Sequence, residues 1–131
     1  MRNPKTIHLK DYAPPPFLVD QIDLKFDIHE NYTLVHARML VSRNMANPGK
    51  DMRLDGQELE LEEVILNGSA LTPEGYKLDE EGITIHDVPD EFTLEIANVI
   101  HPESNTSLMG LYRSNGNYYT QCEAEGFRKI T

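Results

Sequence analysis

The tightest constraint on this chain is a run of alternating side chains. Between Ile22 and His29, the residues Ile22, Leu24, Phe26 and Ile28 fall on one side of an extended backbone, and Asp23, Lys25, Asp27 and His29 fall on the other. A repeat of two is that of a β-strand, and apolar alternating with polar marks a strand with one face toward a core and one toward water. After the short polar break His29-Glu30-Asn31 the pattern resumes: Val35, Ala37, Met39 and Val41 alternate with His36, Arg38, Leu40 and Ser42. Two such runs in tandem predict an antiparallel hairpin.

The remaining sequence repeats this theme at shorter length. Strands are expected over residues 52–54, 58–66, 76–78, 83–86 and 92–100, separated by Asp55-Gly56, Asn67-Gly68, Glu74-Gly75, Glu81-Gly82 and Pro89. Glycine and proline at these places supply the backbone angles that turns need. No segment carries an amphipathic helical repeat. The expected class is all-β, an antiparallel β-sandwich or a pair of curved sheets. Residues 1–16 end in Pro14-Pro15-Pro16 and are expected to form an extended lead-in, leaving residues 17–131 as one all-β domain.

Composition narrows the function. Twelve Lys plus Arg stand against 22 Asp plus Glu, a formal charge of -10, so a phosphate backbone would be repelled and nucleic acid is not expected as a partner. No apolar run approaches the roughly 20 residues that span a bilayer, so no membrane partner is expected either. The first residues lack the apolar stretch and cleavage site of a secretory signal, and the one cysteine, Cys122, has no partner for an internal disulfide. Both point to the cytoplasm.

The inventory of reactive groups is thin. His8, His29, His36, His86 and His101 are scattered, with no H-x-x-x-H pair and no second cysteine, so no metal is expected in this chain. One stretch stands apart, "YYTQCEAEGFRKIT" at 118–131. Asn115-Gly116 predicts a tight hairpin between residues 111–114 and a strand running from 117 onward. On that second strand Thr120, Cys122 and Ala124 are expected to share a packing face, and Gln121, Glu123 and Glu125 the opposite face. Two readings follow from the pattern: a polar strand edge facing water, or a carboxylate held ready to grip a cation.

The same stretch, with the preceding "LMGLYRSNGN", resembles the aminopeptidase N family of zinc metallo-aminopeptidases of the gluzincin type, the bacterial branch in particular. The likeness extends upstream through "YAPPPFLVDQIDLKFDI", "MRLDGQELELEEVILNG" and "EFTLEIANVIHPESNTSLMGLY". It implies a saddle-like all-β N-terminal domain that packs on the catalytic domain of the same parent chain. It implies that Glu123 holds the free α-ammonium of a peptide N-terminus and that Gln121 lines the pocket for the first side chain. Zinc would belong to the parent enzyme, because the family's G-A-M-E-N and H-E-x-x-H motifs are absent here. The resemblance therefore implies an inactive N-terminal piece, incomplete at its C-terminal end, with an unpaired strand edge and an apolar docking surface that favour self-association. The alternative is a stand-alone β-sandwich module that binds protein or carbohydrate, for which Tyr112, Tyr118 and Tyr119 are the available aromatic cluster. A third possibility is a non-catalytic family member kept as a scaffold.

Overall fold

The computed structural model describes residues 8–123 and 125–131. Among the described residues ten strands follow one another: β1 (Phe17–Ile28), β2 (Thr33–Arg43), β3 (Met52–Asp55), β4 (Glu60–Leu66), β5 (Ser69–Ala70), β6 (Tyr76–Asp79), β7 (Gly82–Ile85), β8 (Glu91–Ile100), β9 (Gly110–Ser114) and β10 (Asn117–Gln121). The class is all-β, as expected, with short 3₁₀ turns between strands and every strand pair antiparallel. Among the described residues no helix is long and apolar enough to cross a membrane.

The predicted hairpin forms with Phe17 opposite Arg43 and Ile28 opposite Thr33. It starts a five-stranded sheet in the order β1-β2-β8-β4-β5, beside a three-stranded sheet β3-β7-β6 and the separate hairpin β9-β10. One face of the large sheet is the inner one. At one end the three-stranded sheet covers it around Met39, Ile85, Phe92 and Leu94; at the other, Val35 and Ile100 meet Leu111 and Ile130. Full burial of a side chain such as Leu94 stabilises by about 1.5–3 kcal/mol, and Leu94 is 0% exposed.

Arg43 closes the first end. Its guanidinium lies 5.1 Å from the Phe17 ring centre, pairs with Asp90 at 2.8 Å and donates to the carbonyl of Val88. The proline lead-in is held on this end too, because Asn44 Nδ2 donates to the carbonyl of Pro15 at 2.9 Å and Asn47 Nδ2 to that of Pro14 at 2.6 Å. The lead-in is not extended throughout, since Leu9–Asp11 form a 3₁₀ turn; its residues 1–7 lie outside the described residues.

Two expectations need correction. Ile22, Phe26 and Ile28 share the inner face with Met39, Val35 and Thr33, yet they are 47%, 41% and 48% exposed, and on β1 the covering layer reaches only Phe17, which is buried, and Leu24, which packs partly against the larger cluster. The final strand also stops early. β10 ends at Gln121, and the chain then leaves the ladder through a turn and a 3₁₀ segment at Gly126–Lys129 that returns Ile130 to the core. The chain does not end within a strand.

Candidate functional site

Asn115 and Gly116 both take left-handed backbone angles, φ 51° and 81°, which join β9 to β10 in the two-residue turn their sequence predicts. Tyr119 lies opposite Tyr112 in this hairpin and stacks on it at 5.6 Å, while Arg113 sits 5.7 Å from the Tyr118 ring. Every residue of β10 is exposed, so the hairpin stands out from the body with its last pair, Gln121 and Gly110, at the base.

That base explains why the strand stops. To continue, β10 would need partners before Gly110, but Leu108 and Gly110 adopt φ of 58° and 77° and turn the β9 backbone away. The next donor is instead taken up locally: the Glu123 N–H donates to Oε1 of Gln121 at 3.2 Å. Gly126 N–H then donates to the Cys122 carbonyl at 3.0 Å. A Cβ at Gly126 would lie 2.5 Å from the carbonyl oxygen of Gln121, so the chain can double back this closely only with glycine there.

Gln121 and Glu123 are thus brought together, but through a side-chain-to-backbone bond at a turn and not as neighbours on one strand face. Both are exposed, and among the described residues the Glu123 carboxylate takes no hydrogen bond or ion pair. Glu125 points elsewhere, 3.8 Å from Arg128, which also meets Asp55 at 3.3 Å. Thr120 is exposed where packing was expected, Cys122 is half-buried against the Leu111 and Ile130 cluster, and Ala124 lies outside the described residues.

Beside the site, and missed by sequence reasoning, is Asn98 of β8. It is 1% exposed, and its Nδ2 donates to the Ile130 carbonyl at 2.9 Å, which clamps the returning C-terminal turn onto the sheet. Its Oδ1 has no hydrogen-bond partner among the described residues. It borders an apolar groove of about 410 Å³ between the two core clusters, floored by Ala37 and Ile96 and walled by Leu54, Leu78 and Phe127. The available signal was one polar residue on the otherwise apolar face Phe92, Leu94, Ile96, Asn98 and Ile100 of β8. Another unpredicted group is His101, whose Nδ1 lies 3.1 Å from the Asn31 carbonyl and 3.4 Å from Glu103, and whose Nε2 lies 3.0 Å from Glu60. The Asn31 carbonyl first, and Glu60 next, hold its pKa above the usual histidine value. Among the described residues no three His, Cys, Asp or Glu side chains converge as a metal site would require, so the residues here do not fit a zinc ion.

No protein-family model matches the chain. It is 41% identical over 128 residues to aminopeptidase N of Caulobacter vibrioides and 39% identical over 130 residues to aminopeptidase N of Escherichia coli. These alignments cover 98% and 99% of this chain but only 15% of each relative, so the chain spans about one seventh of their length. Among solved structures, aminopeptidase A of Legionella pneumophila in complex with aspartic acid superposes with a TM-score of 0.87 at 28% identity, over 94% of this chain and 15% of that one. The chain is thus similar in sequence to one segment of aminopeptidase N and in fold to one segment of the Legionella aminopeptidase.

Proposed function

We propose that this chain is the N-terminal β domain of a cytoplasmic zinc aminopeptidase that removes N-terminal amino acids from peptides. In this reading Glu123 anchors the α-ammonium of the substrate and Gln121 lines the pocket for the first side chain. The observation that carries it is the uncommitted Glu123 carboxylate at the base of a hairpin whose second strand is wholly exposed. The likeness to longer aminopeptidases supports a covering partner in the same polypeptide, docked over that hairpin. The zinc belongs to that remainder.

The division of labour has a physical basis. An exopeptidase must recognise a chain end, and the free ammonium is the feature an internal residue lacks. A carboxylate accepting from it forms a charge-assisted bond worth about 1.5–3 kcal/mol once water is excluded. At about 1.4 kcal/mol per factor of ten, losing it lowers kcat/KM roughly 10- to 150-fold. Gln121 contributes order as well: by accepting the Glu123 N–H it fixes the turn from which the carboxylate projects. The test is Glu123→Gln in the full-length enzyme, with kcat/KM measured on free-amine dipeptide substrates. A fall in that range is expected, and an unchanged kcat/KM would overturn the assignment.

One observation favours the alternative of a stand-alone binding module, namely that Tyr118 and Tyr119 are 37% and 45% exposed. Binding of the isolated chain to a protein or glycan array, lost with Tyr119→Ala and retained with Glu123→Ala, would support it.

A further inference from the structure

β1 is the edge of the five-stranded sheet, and among the described residues no strand pairs with its outer side. An edge strand presents a row of free N–H and C=O groups that another strand can use. Natural edges are commonly blunted by charge, bulges or covering loops. Here a bulge between Val19 and Gln21 interrupts only the beginning, and the run from Gln21 to Ile28 is regular. Its inner face is apolar and uncovered at Ile22, Phe26 and Ile28. On the outer face Asp23 accepts from Gln21 Nε2 at 3.1 Å, while Lys25 makes no ion pair among the described residues.

We propose that two copies of this chain pair antiparallel through β1 about a two-fold axis at Leu24, joining their five-stranded sheets into one. In that register Leu24 meets the partner's Leu24, and Ile22 meets the partner's Phe26 on the apolar face. On the polar face Asp23 lies opposite the partner's Lys25, and by symmetry Lys25 lies opposite the partner's Asp23. The strand is therefore complementary to itself in both shape and charge, as an isologous contact requires.

Other registers fail for stated reasons. A slip of two residues one way sets Asp23 against the partner's Asp23, and the other way sets Lys25 against the partner's Lys25. A slip of one residue sets Leu24 against a charge and turns the apolar row outward. The formal charge of -10 on each copy opposes association, so the dimer is weak and forms at high protein concentration.

Sedimentation equilibrium from micromolar to millimolar protein tests this with four species. The wild-type chain is expected to dimerise. Asp23→Lys and Lys25→Asp each place like charges opposite at both symmetric positions and weaken self-association roughly ten-fold or more. The two single variants mixed together regain complementarity and form a heterodimer, and the double exchange Asp23→Lys/Lys25→Asp regains the homodimer. Circular dichroism confirms that each variant keeps the wild-type fold before it is scored. A wild-type chain that stays monomeric overturns the proposal. So does association that the single exchanges leave unchanged, which would place the contact at the apolar groove or another surface.

Discussion

Asn98→Asp should be among the most damaging isosteric changes available in this chain. The side chain is 1% exposed and its Nδ2 donates to the carbonyl of Ile130 at 2.9 Å. Aspartate has the same shape, so packing is unchanged, but the donor is replaced by a carboxylate oxygen facing a carbonyl oxygen. An uncompensated buried charge costs about 3–5 kcal/mol, which sets the expected loss near neutral pH. Burial drives that carboxyl's pKa up, so the folded variant takes up a proton at a pH where the unfolded carboxyl, near pKa 3.9, does not. The deficit relative to wild type therefore shrinks as pH falls through the raised folded value and levels off below about 4. Once protonated, the carboxyl can donate to Ile130 again. Asn98→Leu gives the reference. It leaves the Ile130 carbonyl unpaired at about 1–3 kcal/mol but removes Oδ1, a buried acceptor of similar cost with no partner among the described residues, and so stays within about 1 kcal/mol of wild type. Urea unfolding followed by circular dichroism at pH 7.5 and pH 5 measures all three chains. Equal losses for the Asp and Leu variants, or a deficit that does not change with pH, would refute the role given to the Asn98 amide.

Gly126→Ala forces a Cβ to within 2.5 Å of the Gln121 carbonyl and should cost about 1–3 kcal/mol in the same unfolding assay; a neutral result would mean that the turn relaxes freely. His101 has a raised pKa in the folded chain, so its contribution is fully present below the unfolded value near 6.5 and is lost as pH rises through the folded value. His101→Gln should therefore lower Tm more at pH 5.5 than at pH 8.5, and an equal shift at both would remove the imidazolium from the account.

Alternation in the sequence identified which residues share a face more reliably than it identified what covers that face. Ile22 and Phe26 do lie beside Met39 and Val35, as their spacing requires, but a period of two carries no information about the layer above. The glycine-containing turns were legible because Asn67-Gly68 and Asn115-Gly116 need positive φ at both residues, and each pair provides it. The stretch Gln121 to Glu125 was misread for a related reason. Its alternation continues in sequence, but a strand lasts only as long as its partner, and Leu108 and Gly110 bend the partner away. The pairing of Gln121 Oε1 with the Glu123 N–H, and the closing of the turn by Asn98 on a distant strand, are long-range and side-chain-specific facts that no local pattern encodes.

The core is built as two clusters, joined by the long strands β2 and β8 across a groove that little fills. The end that carries the hairpin rests on the smaller cluster, of Val35, Ile100, Leu111 and Ile130, and the other end on a cluster more than twice that size. Cooperative opening follows the density of buried apolar contact. Amides of β9 and of the Gly126–Lys129 turn should then exchange with deuterated solvent through a sub-global opening that leaves the paired centre of β2 and β8 protected. The segment bearing Gln121 and Glu123 would form the softer of two foldons, able to resettle around whatever docks on it while the rest of the sheet keeps its register.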